Sequence, residues 1–419
     1  MNAVEKRVLA ALDVEAMLAY LGQLIAVRSL DGEETAAQEH VAAQMERCGL
    51  SLDVWELDFA ELSRHPAYCV EVERPHGLGV VGLLGAESGG RSLILNGHTD
   101  VVPAGDPANW RYPPWQGTIA EERVYGRGAV DMKGGLCCAL FAAKAIHDAG
   151  VRLQGRLMIE SVIGEEDGGV GTLAAVLRGY RAEGAIIMEP TELIVAPAQA
   201  GALNFRIRVP GQAAHGCVRA EGVSAIEKFF PLYQALMALE RRINDRHQDP
   251  LFARHAMPYP LCIGTVQGGD WASSVADWLT FEGRLGLPVG VDIAAARQEF
   301  EQTVAEAAQA DPWLRHHPPQ LAWWGGQFEP AGISPQQPIV QTVRQAFQAT
   351  TGQAARLEGM TYGADMRLLV NYGQTPTVMF GPGDVRQAHR PDEFVPIADL
   401  VTVAQTLALT IVRFCGIED

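Results

Sequence analysis

The sequence predicts an α/β protein with a smaller α+β domain inserted into it, and three observations carry that prediction. Over residues 1–201, short apolar runs that read as buried strands alternate with segments apolar at helical spacing. Residues 202–320 change character and run strand, helix, strand, strand, helix. From residue 321 to 419 the first pattern returns, with a helix, a strand and a closing helix, so the first domain resumes after the insertion.

In order, residues 14–27 and 34–48 read as helices around a turn at 29–32, and strands are expected at 51–56, 68–72 and 80–84. GLGVVG at 77–82 fits the dinucleotide pattern G-x-G-x-x-G. It leads into a strand and the turn-forming residues 87–90 rather than a helix, so no helix N-terminus is on offer to a pyrophosphate. Residues 136–149 form an apolar helix, 155–163 a core strand, a helix starts near Thr172, and 184–188 is another buried strand. In the insertion, strands are expected at 203–209, 262–266 and 278–285 and helices at 222–242 and 293–310. Helix 339–350, strand 377–381 and helix 400–414 close the chain.

Composition bounds the function. The chain has 419 residues, is 48% hydrophobic and 20% charged, and is long enough for two domains with cores of their own. A formal net charge of −17 argues against nucleic-acid and anionic-membrane partners, which gain no counterion release from such a surface. Seven cysteines without a C-x-x-C pair indicate neither a disulfide framework nor a thiolate zinc knuckle, and a reducing, cytoplasmic setting follows. Charges at Glu5, Lys6, Arg7, Asp13 and Glu15 interrupt the apolar N-terminal residues and argue against a secretory or membrane-spanning segment.

Chemistry concentrates at strand ends. The run 93–95 breaks at Asn96 and Gly97 and presents His98, Thr99 and Asp100, and GRGAVDMKGG then delivers Asp131 just before an apolar helix. The strand at 155–163 ends in Gly164, Glu165, Glu166 and Asp167, acidic neighbours that repel unless a cation or proton is shared among them. The next strand ends in Glu189, which Pro190 keeps out of helical conformation. The late loop PGDVRQAHRPDEFVP carries His389. Taken singly, these residues are what turns and helix caps ordinarily contain. Three successive strand ends carrying them together place a site where open α/β sheets bind ligands, at the carboxyl ends of the strands.

His98-Thr99-Asp100, GRGAVDMKGG, Glu165-Glu166, Glu189-Pro190 and His389 followed by Asp392-Glu393 together resemble the M20 family of co-catalytic metallopeptidases and amide hydrolases, over essentially the whole chain. YGADMRLLVNYGQTPTVMFGPGD looks closest to its deacetylase and desuccinylase branch. The resemblance implies a zinc-peptidase-like catalytic domain with a mixed sheet and a ferredoxin-like inserted domain that acts as lid and dimerisation surface. It also implies a cut in the amide bond of a small N-acylated amino acid or related amide.

The resemblance further implies two divalent ions, with His98, Asp131 and Glu189 on one, His389, Asp131 and Glu166 on the other, and Asp131 bridging. Imidazole and carboxylate ligands suit Zn²⁺ first, with Co²⁺ or Mn²⁺ also compatible. Asp100, two residues past His98, would accept the other ring N–H of that imidazole. Glu165 would be the general base that takes a proton from a metal-bridging water and hands it to the departing amine. In GQAAHGCVRAEGVSAIEK, His215 resembles the lid-domain histidine that reaches a neighbouring subunit's site to stabilise the oxyanion, so a homodimer is expected. Arg284 in WLTFEGRL and Arg367 in GADMR resemble positions that clamp a substrate carboxylate. The segment 268–274 departs from the family pattern, which has an asparagine where Ser273 or Ser274 stands. Trp110, Trp115, Trp271, Trp323 and Trp324 would line an apolar acyl pocket or fill cores.

Three rival readings stand beside this one. A serine or cysteine hydrolase would need a nucleophile elbow, and no G-x-S-x-G occurs. A non-catalytic metal-binding or regulatory protein of the same fold, and a metallo-dipeptidase or carboxypeptidase, remain open.

Overall fold

The computed structural model describes residues 1–86 and 89–418, so Glu87 and Ser88 of the turn expected at 87–90 lie outside the described residues. Two compact units divide the chain. The first comprises Met1–Ala198, Gly332–Gly359 and Ala364–Asp419, and the second Gln199–Ala331 with Met360–Gly363.

The first unit is built on a six-stranded mixed sheet in the order Ser51–Glu56, Leu78–Gly85, Arg156–Val162, Leu93–His98, Gly184–Ile187, Thr377–Met379. The last four strands run parallel and Leu78–Gly85 runs against its neighbours. The central strands are buried on both faces, which is why they read as continuous apolar runs rather than alternating ones. Gly79 and Gly82 of the dinucleotide-like stretch lie inside the strand Leu78–Gly85. A Cβ on them would stand 2.2 Å from the Trp55 ring and 2.8 Å from Leu50, so these glycines make room for side chains and not for phosphate.

Segment 68–72, expected as a strand, is irregular. Its backbone N–H groups at Glu71 and Val72 donate to Asp167 Oδ2 at 3.2 and 2.9 Å, so donors that a ladder would use are spent on a side chain. At the N-terminus the apolar stretch forms two helices, Ala3–Ala10 and Val14–Ala26, bent by 50° at their break. Helix Ile397–Cys415 is long and apolar enough by composition to cross a membrane, yet most of it is buried within this unit, where it packs on helix Gly134–Asp148.

The second unit is a four-stranded antiparallel sheet, ordered Leu261–Gly268, Trp278–Leu287, Gly201–Pro210, Gln320–Phe328, with helices Ala225–Arg246 and Ile293–Ala310. The βαββαβ chain order with the first and third strands at the centre is ferredoxin-like. This unit runs past the expected boundary at 320, because Gln320–Phe328 pairs with Gly201–Pro210. Adjacent Trp323 and Trp324, then Gly325 and Gly326, hide that strand's alternation, and the pairing register shifts between Trp323 and Gln327.

Candidate active site

Sheet register brings the predicted residues of the first unit together. His98 ends its strand opposite Val162, so the turn Gly164-Glu165-Glu166 begins two residues beyond its partner. Asn96 pairs with Ile187, which sets Glu189 beside His98 from the other flank. Asp131 arrives from a kinked turn before helix Gly134–Asp148, and that helix can approach because Gly135 has no side chain: a Cβ there would stand 2.2 Å from Met188 O. His389 comes from the loop after Thr377–Met379 and adopts φ 57°, a left-handed conformation costly for a non-glycine residue.

Asp131 stands between the two imidazoles. Its Oδ1 lies 3.2 Å from His98 Nε2 and its Oδ2 3.4 Å from His389 Nε2. Glu189 Oε1 is 3.7 Å from His98 Nε2, and Glu166 Oε2 is 3.0 Å from His389 Nε2. One ligand atom each from His98, Asp131 and Glu166, and likewise from His98, Glu165 and Glu189, fall within 4.8 Å of one another, a spacing that a metal ion can bridge.

His98 Nδ1 sits 2.9 Å from the backbone carbonyl of Asp100, an acceptor that fixes the tautomer with the proton on Nδ1 and turns the Nε2 lone pair toward Asp131. The expected role of the Asp100 side chain is corrected here. Its carboxylate is 3.6 Å from His98 Nδ1, while Oδ2 accepts the backbone N–H of Glu166 at 3.0 Å and so holds the acidic turn.

The electrostatics fit a cation. Burial works against charging His98, but Asp100, Asp131 and Glu189 outweigh it and raise its pKa well above the ordinary value. Hydrogen bonds to Asp131 and then Glu166 raise His389 to about 10. Burial, and after it the Glu189 charge, push Glu165 well above the usual carboxylate range. Asp100 Oδ1 and Glu189 Oε1 are buried without a hydrogen-bond partner among the described residues. Orphaned anionic oxygens around two imidazoles are a donor set for a hard or borderline divalent ion.

Arg367 is the clearest departure from expectation. Its side chain is fully buried, and its guanidinium donates to Gly168 O at 2.7 Å and to Ala67 O at 3.4 Å, so its fork grips backbone rather than a substrate carboxylate. In the second unit, Arg284 keeps Nε and Nη2 without partners among the described residues and lines a depression of about 270 Å³ with Asn204, Cys262, Thr265, Glu282 and Trp324. His215 is exposed; its Nδ1 accepts the Cys217 N–H at 3.2 Å, which leaves Nε2–H as the outward donor. The tryptophans each have their own surroundings: Trp110 and Trp115 lie under Arg127 and Arg28, Trp323 packs on Phe300, Trp324 lies under Arg206, and Trp271 is exposed.

Two supports were missed in the sequence. Buried Arg74 joins Glu34 at 2.7 Å, Asp167 at 2.8 Å and Asp31 at 3.2 Å. Buried Glu393 pairs with Arg127 at 2.5 Å while its Oε1 accepts the N–H groups of Val130 and Asp131 at 3.0 and 3.3 Å. Asp392 and Glu393 stand in the quoted motif, but nothing in the spacing shows that Glu393 reaches the turn of Asp131.

Residues 94–413 match the family model described as Peptidase family M20/M25/M40. The chain belongs to that family. This M20 chain is 31% identical to an N-formyl-4-amino-5-aminomethyl-2-methylpyrimidine deformylase of Halalkalibacterium halodurans, over 96% of this chain and 95% of the relative. It is 28% identical to an acetylornithine deacetylase of Edwardsiella ictaluri, over 78% of this chain and 81% of the relative. Among solved structures, the Bacillus subtilis YXEP protein, described as a dinuclear metal binding peptidase from the M20 family, superposes with a TM-score of 0.63 at 14% identity, covering 96% of this chain and 98% of that one. The M20 chain is thus a hydrolytic enzyme acting on amide bonds.

Proposed function

We propose that this enzyme removes a small acyl group from an amine, in the manner of a deacylase, at a site of two divalent ions. The carrying observation is the Asp131 carboxylate, which faces one imidazole with each oxygen. His98, Glu189 and Asp131 would hold one ion and His389, Glu166 and Asp131 the other, Zn²⁺ first, with Co²⁺ or Mn²⁺ accepted by the same ligands. When bound, the ions supply Lewis-acid polarisation of the carbonyl and lower the pKa of the attacking water.

Glu165 does the proton work. Burial, and after it the Glu189 charge, raise its carboxyl pKa well above the ordinary range, which suits a base that must take a proton from water and return it. Water oxygen bonds to the carbonyl carbon, the C–N bond breaks, and the proton held by Glu165 passes to the leaving nitrogen. Similarity to a deformylase and to a deacetylase, both named for removing a small acyl group, supports a deacylase over a peptidase.

A homodimer through the second unit, with the outward Nε2–H of His215 donating to the oxyanion in a partner's site and Arg284 receiving a substrate carboxylate, completes the reading. Its support is the exposed His215 donor and the unpartnered Arg284 nitrogens. A cytoplasmic location fits cysteines that are all free among the described residues.

The test is a panel of N-formyl, N-acetyl and N-succinyl amino acids and arylmethylamines, assayed with and without a chelator, beside Glu165→Ala. Turnover of a short-acyl amide that the chelator abolishes and zinc restores is expected, with Glu165→Ala keeping its metal and losing roughly 10²–10⁴ in kcat. Chelator-insensitive turnover would sink the metal reading. A protein that binds two ions and cleaves no amide would favour the non-catalytic alternative.

A further inference from the structure

Backbone conformation, close packing and two buried arginines converge on one short loop. Residues Gly164 to Gly169 carry Glu165 and Glu166, and three of them are glycines with φ of 66°, 146° and 80° at Gly164, Gly168 and Gly169. The loop packs too closely for any side chain at these glycines: a Cβ on Gly168 would stand 1.6 Å from Cys69 O, and one on Gly169 would stand 2.1 Å from Asp365 Oδ1. Two buried arginines grip it from different segments. Arg367 donates to Gly168 O at 2.7 Å and, through the same guanidinium, to Ala67 O at 3.4 Å. Arg74 holds the Asp167 carboxylate at 2.8 Å, and Gly164 lies so close that a Cβ there would be 3.0 Å from its guanidinium carbon.

We propose that Arg367 is a positioning residue for Glu165 and Glu166, with Arg74 as its counterpart on Asp167, and that neither arginine meets the substrate. A guanidinium fork is the side chain suited to this task, because its planar donors fix two carbonyls from separate segments at once. Lysine in its place keeps the charge and loses the fork. The loop then drifts by a fraction of an ångström, and a reacting group displaced by about 1 Å costs on the order of 10²-fold in rate. Burial keeps the guanidinium away from any ligand, which separates this role from a carboxylate clamp: a clamp sets KM, whereas a loop support sets kcat. The inference rests on the proposed roles of Glu165 as base and Glu166 as ligand.

The experiment compares Arg367→Lys and Arg74→Lys with wild type and Glu165→Ala, all reconstituted with Co²⁺, with kcat scaled to the folded, metal-loaded fraction. Each arginine variant is expected to lose roughly 10- to 100-fold in kcat with KM within about twofold. The visible Co²⁺ bands should change shape, because Glu166 moves; a merely unfolded fraction would lower their intensity and leave their shape alone. Arg74→Lys carries the test if Arg367→Lys does not fold. A raised KM at unchanged kcat in Arg367→Lys, or wild-type kinetics and spectrum in the folded variants, overturns the inference. If Glu165→Ala keeps wild-type turnover, the base assignment itself has failed, and that outcome is read independently of the arginines.

Discussion

The two halves of the candidate site are built differently. His98 and Glu189 stand at the ends of adjacent parallel strands, both nearly inaccessible, and their spacing follows from sheet register. His389 sits on a loop, its side chain is 52% exposed, and its backbone adopts a left-handed conformation. That loop is fastened through its neighbours: Asp392 Oδ1 accepts the N–H groups of Arg111 and Tyr112 at 2.7 and 3.4 Å, and Glu393 is locked to Arg127 and to the turn of Asp131. One half inherits its geometry from the core, and the other depends on a few polar fastenings at the surface.

If Asp131 joins the halves, removing it should erase the distinction between them. Asp131→Ala is expected to lose both ions together, read as metal content after gel filtration; one ion retained at wild-type affinity would show that the halves are independent. A smaller effect should fall on one half only. Glu393→Gln keeps an oxygen for the amides of Val130 and Asp131 but turns an N–H toward Arg127, so the His389 loop loosens. Chelator competition should then find one of the two ions weakened by roughly 10- to 100-fold and the other near its wild-type affinity. Equal weakening of both would mean that the loop is no more dependent on its fastenings than the strands are.

The smallest effect belongs to a control remote from both halves. Hydrogen bonds from Arg178, then Tyr180, hold the Asp53 carboxyl below its ordinary 3.8. A lowered carboxyl pKa stabilises the fold above the unfolded value and stops doing so as pH falls through the folded one. Asp53→Asn should therefore cost under about 1 kcal/mol in urea unfolding at pH 7, less at pH 3, and leave metal affinity unchanged.

The same contrast explains what the sequence could disclose. Apolar runs that end in His98, Glu165-Glu166 and Glu189 are local patterns, and a parallel sheet converts them into one site, so these residues were legible. Contacts between distant segments leave no periodic trace. Arg74 reaches Glu34 and Asp167, Glu393 reaches Val130 and Asp131, and Arg367 reaches Ala67 and Gly168 only after the chain has folded. The resemblance of GADMR to a substrate clamp misled for that reason: it shows that an arginine is there, and only burial shows what its fork can touch. Segment 68–72 failed similarly, since its β-like residues give their N–H groups to Asp167.

The six-stranded sheet takes its edge strand Thr377–Met379 from far along the chain, and helix Ile397–Cys415 completes the packing over Gly134–Asp148. During synthesis from the N-terminus, nearly all of the second unit, Gln199–Ala331, leaves the ribosome before those segments exist. The inserted sheet can close while the strand Gly184–Ile187 still waits for its partner, its edge open to the wrong neighbour. The unit that carries the chemical centre can therefore complete its sheet only after the whole inserted stretch has been made.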